Sequence, residues 1–278
     1  LKLNHELPEQ THIAIIGAGN IGSAIADGLE ASGRFSPPEI TLTRRKIHLL
    51  DGQKERGFNV TSDNRQAVRD SEVVILAIEP QQIDGVLEEI APELDASRHT
   101  LISIVTGITI KQIANLVGEN HRIVRAMPNT AIAVRESMTC LASNGSESAL
   151  EVARTIFATV GATLQLDEEQ MIAATALGAC GIAFFLRAIR AASQGGIEIG
   201  FRSEDALFIA AQTAKGAASL LSSIRKHPEF EIDKVTTPRG CTIAGLNRME
   251  HEGFSSAMIR GITVSAAKAA GLYSPDDE

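Results

Sequence analysis

The chain has 278 residues, 44% of them hydrophobic and 22% charged. That is enough apolar material for one large core or two medium ones, and it excludes a low-complexity chain. A net charge of −8 excludes a nucleic-acid surface, because phosphate binding needs clustered Lys and Arg. Aromatic content is 4%, with no Trp and Tyr273 the single Tyr, so tight packing falls to Ala, Gly, Ile, Leu and Val.

Cys140, Cys180 and Cys241 are far apart, odd in number and without CxxC or Cys/His spacing. Neither a disulfide framework nor a metal site is indicated, and a reducing, cytoplasmic compartment is expected. The stretch LKLNHELPEQ at the start has no apolar h-region of a secretory signal. The longest apolar run, Met171 to Leu186, contains Gly178 and Gly181 and falls short of the roughly 20 residues that span a bilayer. It reads as a buried helix, with no membrane partner.

In chain order, strands are predicted over HIAII, EITLT, FNVTS, EVVILAI, TLISIV, HRIVRA, SMTCLA and ATLQL. Helical stretches separate them, which is the signature of βαβ units around a mostly parallel sheet. The spacing predicts a sheet domain over 1–166 and a helical domain over 167–278, where Ala-rich segments carry apolar residues at i, i+3 and i+4. Breaks are expected near Gly195-Gly196, Gly200, 226–228 and 235–240. The segments AATALGACGIAFFL and LFIAAQTAKGAASLL are apolar around much of their circumference and must be covered. A large intertwined homodimer interface would cover them, and a self-contained bundle packed on the sheet is the alternative.

Gly17-Ala18-Gly19-Asn20-Ile21-Gly22 follows the first predicted strand and opens a helix. Two glycines let backbone approach a pyrophosphate, the third lets helix and strand pack closely, and the helix N-terminus offers N–H donors. The alternative is a purely structural turn. An acid at the end of the second strand usually bonds the ribose 2'-hydroxyl of NAD. Here that strand ends Thr43-Arg44-Arg45-Lys46, one hydroxyl and three cations suited to a 2'-phosphate. NADPH is therefore expected over NADH, with NADH the weaker ligand.

Val235 to Leu246 is the second informative stretch. Thr237 is expected as N-cap with Pro238 at the first helical position. Free N–H groups at Arg239 to Thr242 would then face a carboxylate, with Gly240 leaving them uncovered and Thr242 adding a hydroxyl. Many helices begin this way without binding anything.

The chain resembles the pyrroline-5-carboxylate reductase family along about 260 residues, in the blocks GAGNIGSAIADGL, DNRQAV, VVILAIEPQ, RAMPNTAIAVRESMT, ALGACGIAFFLRAIRAASQGGIEIG, AAQTAKGAASLL and DKVTTPRGCTIAGLNRME. The resemblance implies an α/β fold: an N-terminal Rossmann-type parallel-sheet domain, then an all-helical dimerisation domain, with substrate between them. It implies homodimers through the C-terminal helices, in some members assembled further. It matches the glycine turn with Thr43, Arg44 and Arg45 to the phosphate site and Asn64 to the adenosine side. Ala77, Pro80 and Asn129 fall beside the cofactor, and Thr237, Gly240, Cys241 and Thr242 at the substrate carboxylate and ring nitrogen.

The implied reaction is hydride transfer from NADPH to the C5 of 1-pyrroline-5-carboxylate, giving L-proline, the last step of proline biosynthesis. Thr242 would hydrogen-bond the ring nitrogen as the catalytic residue, and His227 reads as an exposed turn residue. The chain departs from the family pattern at Arg239 in place of a glycine, at Gly178 to Phe184, at Glu79 in place of Lys, and at Ala131 in place of Pro. Arg239 either supplies a cation to the substrate carboxylate or points into solvent. A reductase of a related cyclic imino acid, or a catalytically weak NADP-binding regulatory protein, are the other readings.

Overall fold

A computed structural model of the chain describes residues 11–224 and 226–271; Tyr273 and the polar stretch at the start lie outside them. The eight predicted strands are all present: β1 (Ile13–Ile16), β2 (Ile40–Thr43), β3 (Asn59–Thr61), β4 (Val73–Leu76), β5 (Thr100–Ser103), β6 (Arg122–Met127), β7 (Ser137–Ser143) and β8 (Gly161–Gln165). They form one sheet in the order β3-β2-β1-β4-β5-β6-β7-β8, parallel except between β6 and β7. A parallel crossover needs a dozen or more residues. β6 and β7 are joined by little more than the 3-10 helix Thr130–Val134, so the chain turns back antiparallel.

Helices α1 (Asn20–Ala31), α2 (Asp51–Glu55), α3 (Asn64–Arg69), α4 (Ile83–Ile90), α5 (Ile110–Val117) and α6 (Glu147–Ala158) accompany the strands. Successive side chains of a strand point to opposite faces, and here both faces are covered. Ile13 and Ile15 pack with Leu29 of α1 and Phe157 of α6, while Ala14 and Ile16 pack with Leu87 of α4 and Ile113 of α5. Burial on both faces is why these strands read as continuous apolar runs instead of alternating ones. The helix starts are capped as their sequences dictate: the Asp63 carboxylate accepts from Gln66 N–H at 2.9 Å, and Thr109 with Gln112 closes a capping box. The fold is thus a Rossmann-type α/β domain followed by helices.

Those helices are α7 (Met171–Ala174), α8 (Gly181–Glu198), α9 (Ser203–Ile224), α10 (Pro228–Lys234), α11 (Cys241–His251) and α12 (Phe254–Ala269). The chain divides into two compact units, one running to Cys180 and resuming at Ser265, the other Gly181–Val264. In the first unit Arg125, nearly buried on β6, pairs with Glu168 at 3.2 Å, and the same carboxylate oxygen accepts Ile110 N–H at 2.6 Å. Removing one member of such a pair strands a buried charge, so Glu168 pins the start of the long helix to the sheet.

Two expectations for the helical half need correction. The apolar run Met171 to Leu186 belongs to a continuous helical stretch of 31 residues, Glu168–Glu198, long and apolar enough to cross a membrane by length and composition alone. The apolar run is shorter than the helix because the helix continues past Leu186 through polar residues to Glu198; within the run it passes through a π-turn at Thr175–Ala179, where Cys180 N–H donates to Thr175 O at 2.8 Å. The expected burial holds only for its first part, where Met171, Ala174, Thr175 and Ala176 are buried; further along, Phe185 is 61% and Leu186 58% exposed in the single chain. Likewise Gly195-Gly196 does not break α8; a Cβ on Gly196 would lie 3.1 Å from that of Ala206, so this glycine lets α8 and α9 approach closely. The helix ends at Glu198, beside the expected break at Gly200, which is in the left-handed region at φ 111°.

His99 is buried before β5; its Nδ1 accepts Asp95 N–H at 2.8 Å and its Nε2 faces Val68 O at 3.2 Å. That arrangement fits only the neutral ring with the proton on Nε2. Burial pulls its pKa below the ordinary value, and Arg98 adds to the effect. The unfolded chain therefore takes up the proton first, and stability present above about pH 6.5 is lost as pH falls through the lower, folded value. His99→Gln is expected to flatten the fall in urea-unfolding free energy between about pH 7 and pH 5; an unchanged slope would exclude His99 as the source.

Candidate dinucleotide cleft and helix-start site

The strand order reverses between β1 and β4, and a crevice forms at the carboxyl ends of strands at such a switch point. The glycine turn sits there. Gly17 has φ 89°, and a Cβ on it would lie 2.4 Å from Ile78 Cγ2 and 2.8 Å from Ala77 O. A Cβ on Gly22 would meet Gly17 O at 2.8 Å and Ile15 Cγ2 at 3.2 Å, whereas Gly19 has open space above it. The first glycine makes the turn, the third seats α1 on the sheet, and the second leaves backbone free for a ligand to approach. Gly19 is the N-cap of α1 with no side-chain cap, and Ser23 N–H makes the first bond of the helix, to Gly19 O at 2.9 Å. The N–H groups of Asn20, Ile21 and Gly22 precede that bond and point out of the helix end.

The end of β2 is bonded to this turn. Gly17 N–H donates to Thr43 Oγ1 at 3.2 Å, Ala18 N–H to Thr43 O at 2.8 Å, and Thr43 Oγ1 donates to Asn64 Oδ1 at 2.7 Å. This corrects the expectation for Thr43: it is buried and its one proton goes to Asn64, so it has no donor left for a phosphate. Arg44, half-buried, and Arg45 and Lys46, exposed, form no ion pair among the described residues. They line a cleft of about 920 Å³ together with Gly17, Gly19, Thr43, Asn64 and Ala77.

Other predicted residues have different surroundings. Pro80 occupies the first position of the 3-10 helix Pro80–Gln82, past the end of β4. Asn129 is committed to the protein itself: its Oδ1 accepts Ala131 N–H at 3.0 Å and its Nδ2 donates to Gly178 O at 3.2 Å, joining the β6–β7 link to the π-turn. Neither lines the cleft. Sequence reasoning missed Leu49, Ser62, Gln82, Gly85, Val86 and Glu89, which line it from the far sides of the β2, β3 and β4 crossovers. The i, i+1, i+4 spacing of Gly85, Val86 and Glu89, opposite the buried Ile83, Leu87 and Ile90, was the available signal.

In the second compact unit, α11 starts at Cys241 with Gly240 as N-cap, which corrects the expected N-cap Thr237. Gly240 N–H donates to Thr237 O at 2.9 Å and Arg239 has φ 62°. Thr237-Pro238-Arg239-Gly240 is therefore a tight turn with Pro at its second position and a positive φ at its third, where glycine is usual. Pro238 suits this turn as well as it suits a helix start, because both want φ near −65°. The outward N–H groups belong to Cys241, Thr242 and Ile243, not to Arg239. A Cβ on Gly240 would lie 2.9 Å from the backbone oxygen of Thr237 as well as 2.5 Å from its Oγ1, so the turn favours glycine there. Thr237, Arg239, Cys241 and Thr242 are exposed in the single chain.

A Rossmann-type sheet with a basic cleft at its switch point, followed along the chain by helices, is an architecture found among nucleotide-dependent oxidoreductases. Residues 12–107 match the family model "NADP oxidoreductase coenzyme F420-dependent", and 168–272 match "pyrroline-5-carboxylate reductase dimerisation". The chain is 52% identical to pyrroline-5-carboxylate reductase 1 of Dictyostelium discoideum over 94% of its own length and 50% of that protein, so it spans half of that relative. It is 47% identical to pyrroline-5-carboxylate reductase 2 of the same organism, over 95% of this chain and 94% of that one. A crystal structure of Plasmodium falciparum pyrroline carboxylate reductase with NADP bound superposes with a TM-score of 0.87 at 25% identity, covering 96% of this chain and 99% of that one. The chain belongs to the pyrroline-5-carboxylate reductase family.

The packing at Gly22 gives a direct test. Gly22→Val forces Cβ against backbone oxygen and should cost at least about 2 kcal/mol of stability, with loss of dinucleotide binding, read by urea unfolding and by NADPH fluorescence titration. A variant of full stability and affinity would show that α1 need not sit so close.

Proposed function

We propose that the protein is an NADPH-dependent pyrroline-5-carboxylate reductase, reducing the cyclic imine 1-pyrroline-5-carboxylate to L-proline, the last step of proline biosynthesis. The observation that supports this most is the 47% identity to a pyrroline-5-carboxylate reductase across nearly its whole length, combined with a cleft whose glycines and unpaired cations suit a phosphorylated dinucleotide. The N–H groups of Asn20, Ile21 and Gly22 hold the pyrophosphate, and the open space over Gly19 admits it. Arg44 and Arg45, with Lys46, meet the 2'-phosphate by charge-assisted bonds, and Asn64 and Ala77 line the same cleft. Pro80 and Asn129, which do not line the cleft, are cofactor-side residues on the family resemblance alone. NADH, lacking the 2'-phosphate, binds more weakly.

Bound there, the cofactor supplies a hydride from its reduced nicotinamide to the C=N carbon. The rest falls to the second unit. The N–H groups of Cys241 and Thr242 at the start of α11, left open by Gly240 and Thr237, take the substrate carboxylate. Arg239, exposed in the single chain, adds a cation. The Thr242 hydroxyl hydrogen-bonds the ring nitrogen and orients it. An iminium is already an electrophile, so positioning supplies much of the acceleration and no strong acid is needed.

The second unit also explains the assembly. Phe185, Leu186, Ile199, Phe208, Ile259 and Val264 are all exposed, more apolar surface than a self-contained bundle would leave. A second copy of the chain covers them in a homodimer through the C-terminal helices, in keeping with the dimerisation model matched over 168–272. The three free cysteines suit a reducing compartment such as the cytoplasm.

Steady-state turnover of pyrroline-5-carboxylate with each cofactor tests the whole reading; no oxidation of NADPH in the presence of imine would refute it. Replacing Arg44 and Arg45 together by Ala should raise KM for NADPH by at least about tenfold and leave that for NADH little changed. Thr242→Val should lower kcat by about a hundredfold while KM for NADPH stays within error; unchanged kcat would remove Thr242 from the chemistry.

A further inference from the structure

The cleft contains a carboxylate that the cofactor reading does not use. Glu89, half-buried on α4, lines the cleft together with Arg44, Arg45 and Lys46. It forms no ion pair among the described residues, and the nearby Arg65 bonds its backbone carbonyl at 2.9 Å instead. Its Oε2 accepts from Asn64 Nδ2 at 3.0 Å. Three hydrogen bonds then run in one direction: Asn64 Nδ2 to Glu89, Thr43 Oγ1 to Asn64 Oδ1, and Gly17 N–H to Thr43 Oγ1.

The carboxylate sets that direction, because an ionised carboxylate only accepts. It selects the Asn64 amide nitrogen, which turns Oδ1 toward Thr43. The Thr43 proton is thereby taken, and its lone pair faces the glycine turn. Glu89 thus reaches the backbone of the phosphate-binding turn through two side chains. Its charge acts separately. An uncompensated negative group in the same cleft repels a 2'-phosphate and has no such quarrel with a 2'-hydroxyl.

Resting on the reading of this cleft as a dinucleotide site, we infer that Glu89 is a positioning and specificity-determining residue: it orients Asn64 behind the glycine turn, and its charge restrains the preference for NADPH over NADH. The carboxylate that a 2'-hydroxyl cofactor usually meets at the end of β2 is missing here, and α4 brings one to the same cleft from the other side of the switch point.

Glu89→Gln separates the two roles, because its amide oxygen can still accept from Asn64 while the charge is gone. Dissociation constants for NADPH and NADH, from fluorescence titration of the purified full chain, should show NADPH tightening about tenfold, or about 1.4 kcal/mol. NADH should stay within about twofold. The gain should shrink at about 1 M salt, where screening acts over about 3 Å, a response that a merely structural role would not produce. Glu89→Ala, which also releases Asn64, should bind both cofactors more weakly than Glu89→Gln. Equal changes for both cofactors in Glu89→Gln, or none, would overturn the charge role, and identical behaviour of the Ala and Gln variants would overturn the positioning role, in both cases with the cofactor reading intact. Wild-type protein that binds neither nucleotide would instead overturn that reading and this inference with it.

Discussion

The closeness of α1 to the sheet is the constraint on which the site depends. Gly22 has no room for a side chain between Ile15 and Gly17 O, and Gly17 none beside Ala77 and Ile78. With both at van der Waals contact, the first turn of α1 has its unbonded N–H groups at the mouth of the crevice. Thr43 fixes the remaining freedom by receiving Gly17 N–H on its hydroxyl and Ala18 N–H on its carbonyl. Consequently β1, β2 and α1 are tied together at this turn, and Arg44, the next residue, takes a defined place at the cleft wall.

Electrostatics then divides the cleft. Backbone dipoles at α1 favour negative charge, and the cations after β2, without ion pairs among the described residues, favour it further. Glu89 opposes them from α4. A cleft with uncompensated charges of both signs can discriminate between ligands that differ by one phosphate, because the dianion feels every charge and the hydroxyl mainly feels the acceptors.

The second unit solves a different problem. Its helices leave Phe185, Leu186 and Phe208 exposed, while small residues make the close contact between α8 and α9, as Gly196 against Ala206 illustrates. The large apolar groups that remain are on the outer surface and require a partner. At the start of α11, Arg239 holds a left-handed conformation that costs a non-glycine residue about 1–2 kcal/mol. Strain of this kind persists where surrounding structure over-determines it, and here the Gly240 to Thr237 bond closes the turn around it.

What could be read from the sequence was what repeats along it or has only one local solution. The eight strands were legible because their apolar runs are bounded by glycines and polar residues. The glycine turn was legible because only glycine accepts φ 89° with Ala77 O so near. The extent of the long helix was not, because a π-turn and polar flanking residues disguise its continuity. The N-cap of α11 was misjudged because Pro238 satisfies a turn and a helix start equally well, and only the Gly240 to Thr237 hydrogen bond distinguishes them. Thr43 was misread for the same reason: a hydroxyl at the end of β2 looks free in one dimension. Asn64, 21 residues away, accepts its hydrogen bond and is itself held by Glu89, a further 25 residues on; only the fold brings the three together. Sequence alone therefore determined the architecture and the anion-seeking elements, which depend on local periodicity and backbone freedom. The tertiary structure decided which polar groups remain available, because that depends on partners distant in the chain.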